Sequence, residues 1–249
     1  MRFVDPIRVG VLGAKGRMGS LVCEAVRGEA DLSLVAELDS GDALSALGDC
    51  DVVVDFTIPE AAPGNVQWCV EHGKSVVVGT SGFDEAHIEQ VKRLPGVDEV
   101  AVIIVPNFAI GAVLMMRWAS EAAKFFGDAE VFEYHHPRKL DAPSGTAVHT
   151  AELIAEARRA AGLHSSDAAD VTQIQAARGH LVDGVPVHSA RGAGFIAHQD
   201  VVFGAPGERV TIRHDSLDRA SFMPGVLLAV RAAAVGRGVT VGLEPLLGL

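Results

Sequence analysis

Residues 7 to 19 read I-R-V-G-V-L-G-A-K-G-R-M-G, and this stretch decides the fold. Its first six residues are mostly apolar and β-branched, as a strand buried in a parallel sheet requires. Gly13, Gly16 and Gly19 follow at three-residue spacing, and an amphipathic helix runs on through about Val26. Strand, glycine turn and helix in that order are the setting of a dinucleotide-binding fingerprint. Glycine permits the tight turn and lets the backbone come close to a pyrophosphate, which the helix start faces.

Working outward, Leu32 to Leu38 predicts a second strand that ends at Asp39, about twenty residues past the last glycine. An acid in that place can hydrogen-bond the hydroxyls of an adenosine ribose. No arginine follows it closely, which favours NADH, yet Lys15 or Arg17 could reach a 2′-phosphate, so NADH and NADPH both stand. Further strands are expected at 51–56, 75–78 and 99–105, alternating with helices at 59–72, opened by Pro59, and at 85–93. The turns at Gly13, Asp39, Phe56, Gly79 and Pro106 then share the carboxyl edge of one parallel sheet, where ligands gather.

An apolar helix over 110–126, stopped by Gly127, leads to a change of pattern. Residues 129–135 predict a strand that enters E-Y-H-H-P-R-K-L-D-A-P-S-G-T-A, residues 133 to 147. Pro137 and Pro143 resist helix formation and make the segment a rigid loop. Ser144 can cap a helix running to 161, leaving the amides of Gly145 and Thr146 to meet an anion. His135, His136 and Lys139 lie just upstream, an arrangement suited to proton transfer on a carboxylate-bearing substrate. Glu133, His135, His136 and Asp141 could instead ligate a metal, although the spacing matches no standard zinc motif, and a polar structural loop is the plainer alternative.

Residues 163–186 read as loop-rich, and 187–191, 195–204 and 208–215 as alternating strands that favour an antiparallel sheet and a surface for subunit association. From Phe222 the chain turns helical and then apolar like the first part, so the second domain is read as an insertion. The expected division is 1–128 with 218–249 for the dinucleotide-binding domain, and 129–217 for the substrate-binding and oligomerisation domain. Closure is expected about hinges near 127–130 and 217–222.

The bulk numbers agree with a globular protein: 249 residues, 49% apolar and 21% charged. A net charge of −11 argues against a nucleic-acid partner and makes a local basic cluster more informative. Cys23, Cys50 and Cys69 form no C-x-x-C pair and fit buried thiols in a reducing compartment. No apolar run is long enough for a signal peptide or a membrane span, so a cytoplasmic protein is expected.

Taken together, the 133–147 motif with G-A-K-G-R-M-G, D-F-T-I-P, G-T-S-G-F and P-N-F-A-I-G resembles the bacterial dihydrodipicolinate reductase family, its actinobacterial branch in particular. R-H-D-S-L-D-R and F-M-P-G-V-L-L-A-V are similar to family members too, so the resemblance spans nearly the whole chain. It implies an α/β fold: a Rossmann-type doubly wound parallel sheet with an inserted α+β substrate and tetramerisation domain holding a mixed or antiparallel sheet. It implies a homotetramer and hydride delivery from NADH or NADPH to a cyclic dicarboxylate of the diaminopimelate and lysine pathway. By the match, His135 is the proton donor or acceptor and Lys139 a proton donor. His136 and Ser144, with the Gly145 and Thr146 amides, hold substrate carboxylate. Gly13, Ala14, Lys15, Gly16, Arg17, Met18, Asp39, Gly79, Thr80, Ser81, Val105, Pro106, Asn107 and Phe108 line the cofactor, and no metal is implied. The chain departs from the family pattern at Ser81, where threonine is usual, and Tyr134 occupies a variable place with no role assigned. Another nicotinamide oxidoreductase, such as an amino-acid dehydrogenase, and a non-catalytic dinucleotide sensor are the competing readings.

Overall fold

The computed structural model describes residues 5–163 and 178–249. The middle of the stretch read as loop-rich, 164–177, therefore lies outside the described residues. The chain divides into two compact units, 1–110 with 219–249, and 111–218.

The first unit is built on a six-stranded parallel sheet. Its strands are β1 (Ile7–Leu12), β2 (Leu32–Leu38), β3 (Val52–Asp55), β4 (Ser75–Val78), β5 (Ala101–Ile104) and β11 (Gly238–Val241), in the order β11-β5-β4-β3-β1-β2. β3, β4 and β5 are buried along their whole length, which is why they read as unbroken valine and isoleucine runs rather than alternating ones. Helices α1 (Gly19–Gly28) and α6 (Met223–Val235) pack on one face. Helices α2 (Ala62–Glu71) and α3 (Glu85–Lys92) cover the other, placing Val66, Cys69, Val70 and Val91 against Val53, Val76, Val78 and Val102. The three cysteines are buried thiols, and burial pushes Cys69 up to about 12. The late strand β11 closes the sheet beside β5, and Arg231 of α6 ties the chain's end to its beginning through Asp31 at 2.8 Å and Glu29 at 2.7 Å.

Two sequence expectations need correction here. The helix expected from Pro59 begins at Ala62, with Pro63 in its first turn, because the amides of Ala61 and Ala62 close a separate turn onto the Ile58 carbonyl. The strand expected over 99–105 is shorter, because Val97–Glu99 form a turn of 3-10 helix before it.

The second unit holds a five-stranded sheet of β6 (Asp128–His135), β7 (His180–Val182), β8 (Val185–Arg191), β9 (Ala197–Ala205) and β10 (Glu208–Ser216), ordered β10-β9-β6-β8-β7. β6 and β8 run parallel while the other pairs are antiparallel, so of the mixed and antiparallel forms expected the sheet takes the mixed one, although alternation by itself favoured antiparallel pairing. Alternation reports which side chains share a face, not the direction of the neighbour. Helix α5 (Gly145–Ala160) lies on this sheet, and its Ala147, Ala151 and Ile154 are fully buried in the unit that also buries Val131 and Phe203. Helix α4 (Ile110–Ala123) ends before the expected stop at Gly127. The buried Arg158 of α5 donates to the carbonyls of Phe126, at 3.2 Å, and Gly127, at 2.5 Å, satisfying backbone acceptors just past that helix.

Candidate active site

At the carboxyl edge of the first unit's sheet, the backbone ladder extends into the loops: the amides of Gly13 and Ala14 donate to the Leu38 carbonyl, and Gly79 to Asp55. Gly13 has φ +75°, and a Cβ there would stand 2.4 Å from the Phe56 carbonyl oxygen. At Gly19 a Cβ would meet the Gly13 oxygen at 2.0 Å, so the first turn of α1 sits directly on the glycine turn. Lys15, Gly16 and Arg17 are exposed between them, followed by Met18 at the helix cap. Asp39 is fixed by accepting from the Lys15 amide at 2.9 Å and the Ser40 amide at 2.8 Å. Those amides hold its carboxyl below the usual range.

Across β3 and β4, the buried Asp55 accepts from the Thr57 amide and hydroxyl, the Asn65 amide group and the Thr80 hydroxyl, all within 2.9 Å. This network pins the loops after both strands. Thr80 is buried with it while Ser81 is exposed. The rings of Phe56 and Phe108 lie 5.5 Å apart with Gly79 against both, and Asn107 accepts from the Ala109 amide beyond Val105 and the exposed Pro106. The sequence-predicted residues from Gly13 to Phe108 thus share one sheet edge.

In the second unit, β6 ends at His135 and the loop turns at once, the Lys139 amide closing onto the His136 carbonyl at 3.1 Å. Lys139 extends its ammonium to Asp141 at 2.8 Å. Ser144 caps α5 by accepting from the Ala147 amide at 3.2 Å, which places Gly145 and Thr146 in the first turn, where backbone donors face out of the helix end. His135, His136, Lys139 and the α5 start are therefore gathered at one corner of the sheet. The buried Glu133 lies beneath, on the same face of β6 as His135, and its carboxylate takes His135 Nδ1 at 2.5 Å. Arg191 of β8 binds both oxygens of Glu133 at 2.8 Å. Among the described residues no group of His, Cys, Asp and Glu side chains is placed to hold a metal ion.

Two family models match the chain: "Dihydrodipicolinate reductase, N-terminus" over residues 7–108 and "Dihydrodipicolinate reductase, C-terminus" over 111–247. The chain belongs to the dihydrodipicolinate reductase family. It is 56% identical over 246 residues to the 4-hydroxy-tetrahydrodipicolinate reductase of Nocardia farcinica, covering 98% of this chain and 99% of that one. The enzyme of the same name from Mycobacterium marinum is 54% identical, with 98% and 100% covered. Among solved structures, a dipicolinate-bound dihydrodipicolinate reductase from Paenisporosarcina sp. TG-14 matches with TM-score 0.85 and 37% identity, over 96% of this chain and 99% of that one. Dihydrodipicolinate reductases are NAD(P)H-dependent oxidoreductases, and the N-terminal model covers the Rossmann-type NAD(P)-binding part. No helix among the described residues is long and apolar enough to cross a membrane.

In this reductase Glu133 stands out in the sequence only as a possible metal ligand, and Arg191 does not stand out at all. Glu133 could have been found, since a residue two before His135 on a strand shares its face. Arg191 carries no such local signal. Glu133 also predicts an acid response. Burial pushes its carboxyl up, but hydrogen bonds from His135, Arg191 and Ser189 outweigh that and bring it from 4.5 down to about 2. A depressed carboxyl stabilises the fold fully above its unfolded value and loses that contribution as pH falls through the folded one. Glu133→Gln cannot titrate, so the stability gap to the wild type should shrink by about 3 kcal/mol as pH falls from about 4.5 to 2. Urea unfolding of both proteins across that range measures it, and a gap that stays flat contradicts the assignment.

Proposed function

We infer that the chain catalyses the NAD(P)H-dependent reduction of 4-hydroxy-tetrahydrodipicolinate to tetrahydrodipicolinate in the diaminopimelate and lysine pathway. One hydride and one proton are added overall and one water leaves. The observation that carries the reading is the corner at the end of β6, where an imidazole, an ammonium and a capped helix start meet in an acidic protein. A cyclic dicarboxylate fits such a corner, and the family neighbour that is 37% identical was solved with dipicolinate bound.

The first unit's edge fits a dinucleotide. The bare turn at Gly13 brings backbone amides close to a pyrophosphate, and the fixed Asp39 carboxyl can accept from ribose hydroxyls. In this reading Gly13 to Met18, Asp39, Gly79 to Ser81 and Val105 to Phe108 contact the cofactor. When bound, the reduced nicotinamide supplies the hydride. In the second unit, His136, Ser144 and the first-turn amides of Gly145 and Thr146 grip substrate carboxylate by charge-assisted hydrogen bonds, which orients the ring. Lys139 neutralises the charge that reduction leaves on the substrate and donates a proton to it, and His135 gives or takes a proton beside it. Assembly into a homotetramer through the five-stranded sheet and a cytoplasmic location belong to the same proposal.

Isothermal calorimetry separates this reading from a dinucleotide sensor. Pyridine-2,6-dicarboxylate should bind the cofactor-loaded protein, and Lys139→Ala should weaken that binding by about tenfold or more, as loss of a charged contact does. Cofactor binding with no dicarboxylate binding would support a sensor instead.

A further inference from the structure

We propose that Glu133 and Arg191 form a positioning pair that fixes His135 with its ring proton on Nδ1 and holds that ring in register with the start of α5. The proposal rests on the reductase reading above, which makes His135 a proton-transfer residue.

Glu133 is 1% exposed, yet both of its carboxylate oxygens have hydrogen-bond partners. Oε2 takes His135 Nδ1 at 2.5 Å and Arg191 Nη1 at 2.8 Å. Oε1 takes Arg191 Nη2 at 2.8 Å and the Ser144 amide at 3.2 Å. An ionised carboxylate only accepts, so the imidazole must bring its proton on Nδ1. Nε2, on the far side of the ring, is then the nitrogen left for chemistry. One oxygen thus serves the imidazole and the other the helix cap, so a single rigid group sets the spacing between proton transfer and carboxylate binding.

Arg191 makes the arrangement tenable. A lone buried carboxylate would be strongly destabilised, and the bidentate fork neutralises it without displacing the imidazole. The same guanidinium donates to the carbonyls of Ala190 and Asp141, each at 2.7 Å. It therefore bolts the loop carrying Lys139 to β8. Register explains why arginine reaches: in the parallel pairing of β6 and β8, His135 lies opposite Arg191 and Glu133 opposite Ser189.

Glu133→Gln gives a sharp test. A carboxamide has an acceptor at one end and a donor at the other, whereas both ends of Glu133 face donors. The Ser144 amide cannot reverse its polarity, but a neutral imidazole can. Arg191 donates to both ends and so does not choose between them. The variant should turn its oxygen to Ser144 and its NH2 to His135, moving the ring proton to Nε2 and leaving Arg191 Nη1 to the Ala190 carbonyl. Long-range 1H–15N spectra of protein labelled in histidine read this directly, with His135→Asn assigning the signals. The wild type should show a protonated Nδ1 and the variant a protonated Nε2. The wrong tautomer should cut kcat by about 100-fold or more, while KM for the nicotinamide cofactor stays within about threefold.

A variant that keeps its Nδ1 proton, or whose kcat stays within about threefold of wild type, overturns the proposal. Should Glu133→Gln not fold, Arg191→Lys serves, since it keeps the charge and loses the fork. It should retain the Nδ1 proton and lose about tenfold in kcat, and an unchanged kcat overturns the pair's role. The spectra need no substrate. A wild type that shows the Nδ1 tautomer but reduces nothing therefore refutes the reductase reading and not the positioning geometry.

Discussion

Lys139→Ala should lower kcat by about 100- to 10,000-fold while affinity for NADH and NADPH stays within about twofold, as expected for loss of a proton donor. The ammonium pairs with Asp141 of the second unit's loop at 2.8 Å, while the glycine turn and Asp39 belong to the first unit. Its ion pair is part-exposed, so deleting it should barely change the melting temperature. KM for the dicarboxylate should rise as well, because one positive charge leaves the corner. Lys139→Arg separates the two contributions. It keeps the charge but holds its proton too tightly to give up, so it should bind substrate and turn over poorly. Steady-state rates with both variants, with cofactor affinity from fluorescence titration, check this. Near-normal turnover by Lys139→Ala removes that residue from the chemistry.

The second large effect is expected at the glycine turn. Gly13→Ala should weaken binding of either cofactor by about 100-fold and lower the melting temperature by several degrees, a strain cost of order 1–3 kcal/mol plus a backbone clash. The backbone there has φ +75°, and the new methyl would stand 2.4 Å from the Phe56 oxygen and 2.9 Å from its carbonyl carbon. Neither atom can move without pulling the end of β3, where Asp55 holds the Thr57 and Thr80 loops. Gly41→Ala is the matched control. Its φ is +94°, but nothing lies within 4 Å, so it should show the backbone strain alone and leave cofactor affinity unchanged. Equal losses in the two variants would mean that the turn is not shaped around a ligand.

Much of this architecture was legible in the chain before any coordinates, for identifiable reasons. β4 and the inner part of β1 were readable because a strand buried on both faces must be β-branched and apolar, and the glycines after β1 mark a turn that side chains would block. The start of α5 was readable because Ser144 carries its cap in its own side chain. The start of α2 was not, since Pro59 and Pro63 are equally suited to a first turn and only the Ile58 turn distinguishes them. Sheet direction in the second unit was hidden for a different reason: period-two alternation is the same in parallel and antiparallel strands, and only pairing shows that β8 runs with β6. The candidate site divides along the same line. His135, His136, Lys139 and Ser144 are close in sequence and could be read as one group. Arg191 reaches Glu133 only through strand register, and Thr80 reaches Asp55 only because β3 and β4 are neighbours. Long-range hydrogen bonds of this kind leave no local trace.

The most direct measurement is the oxidation of NADH and of NADPH, each in turn, by wild-type protein with 4-hydroxy-tetrahydrodipicolinate generated in place by dihydrodipicolinate synthase. The reduced nicotinamide absorbance should fall with at least one cofactor, only while the cyclic dicarboxylate is supplied, and scarcely at all with Lys139→Ala. Absence of oxidation with both cofactors, or oxidation that runs equally well without the dicarboxylate, would contradict the account.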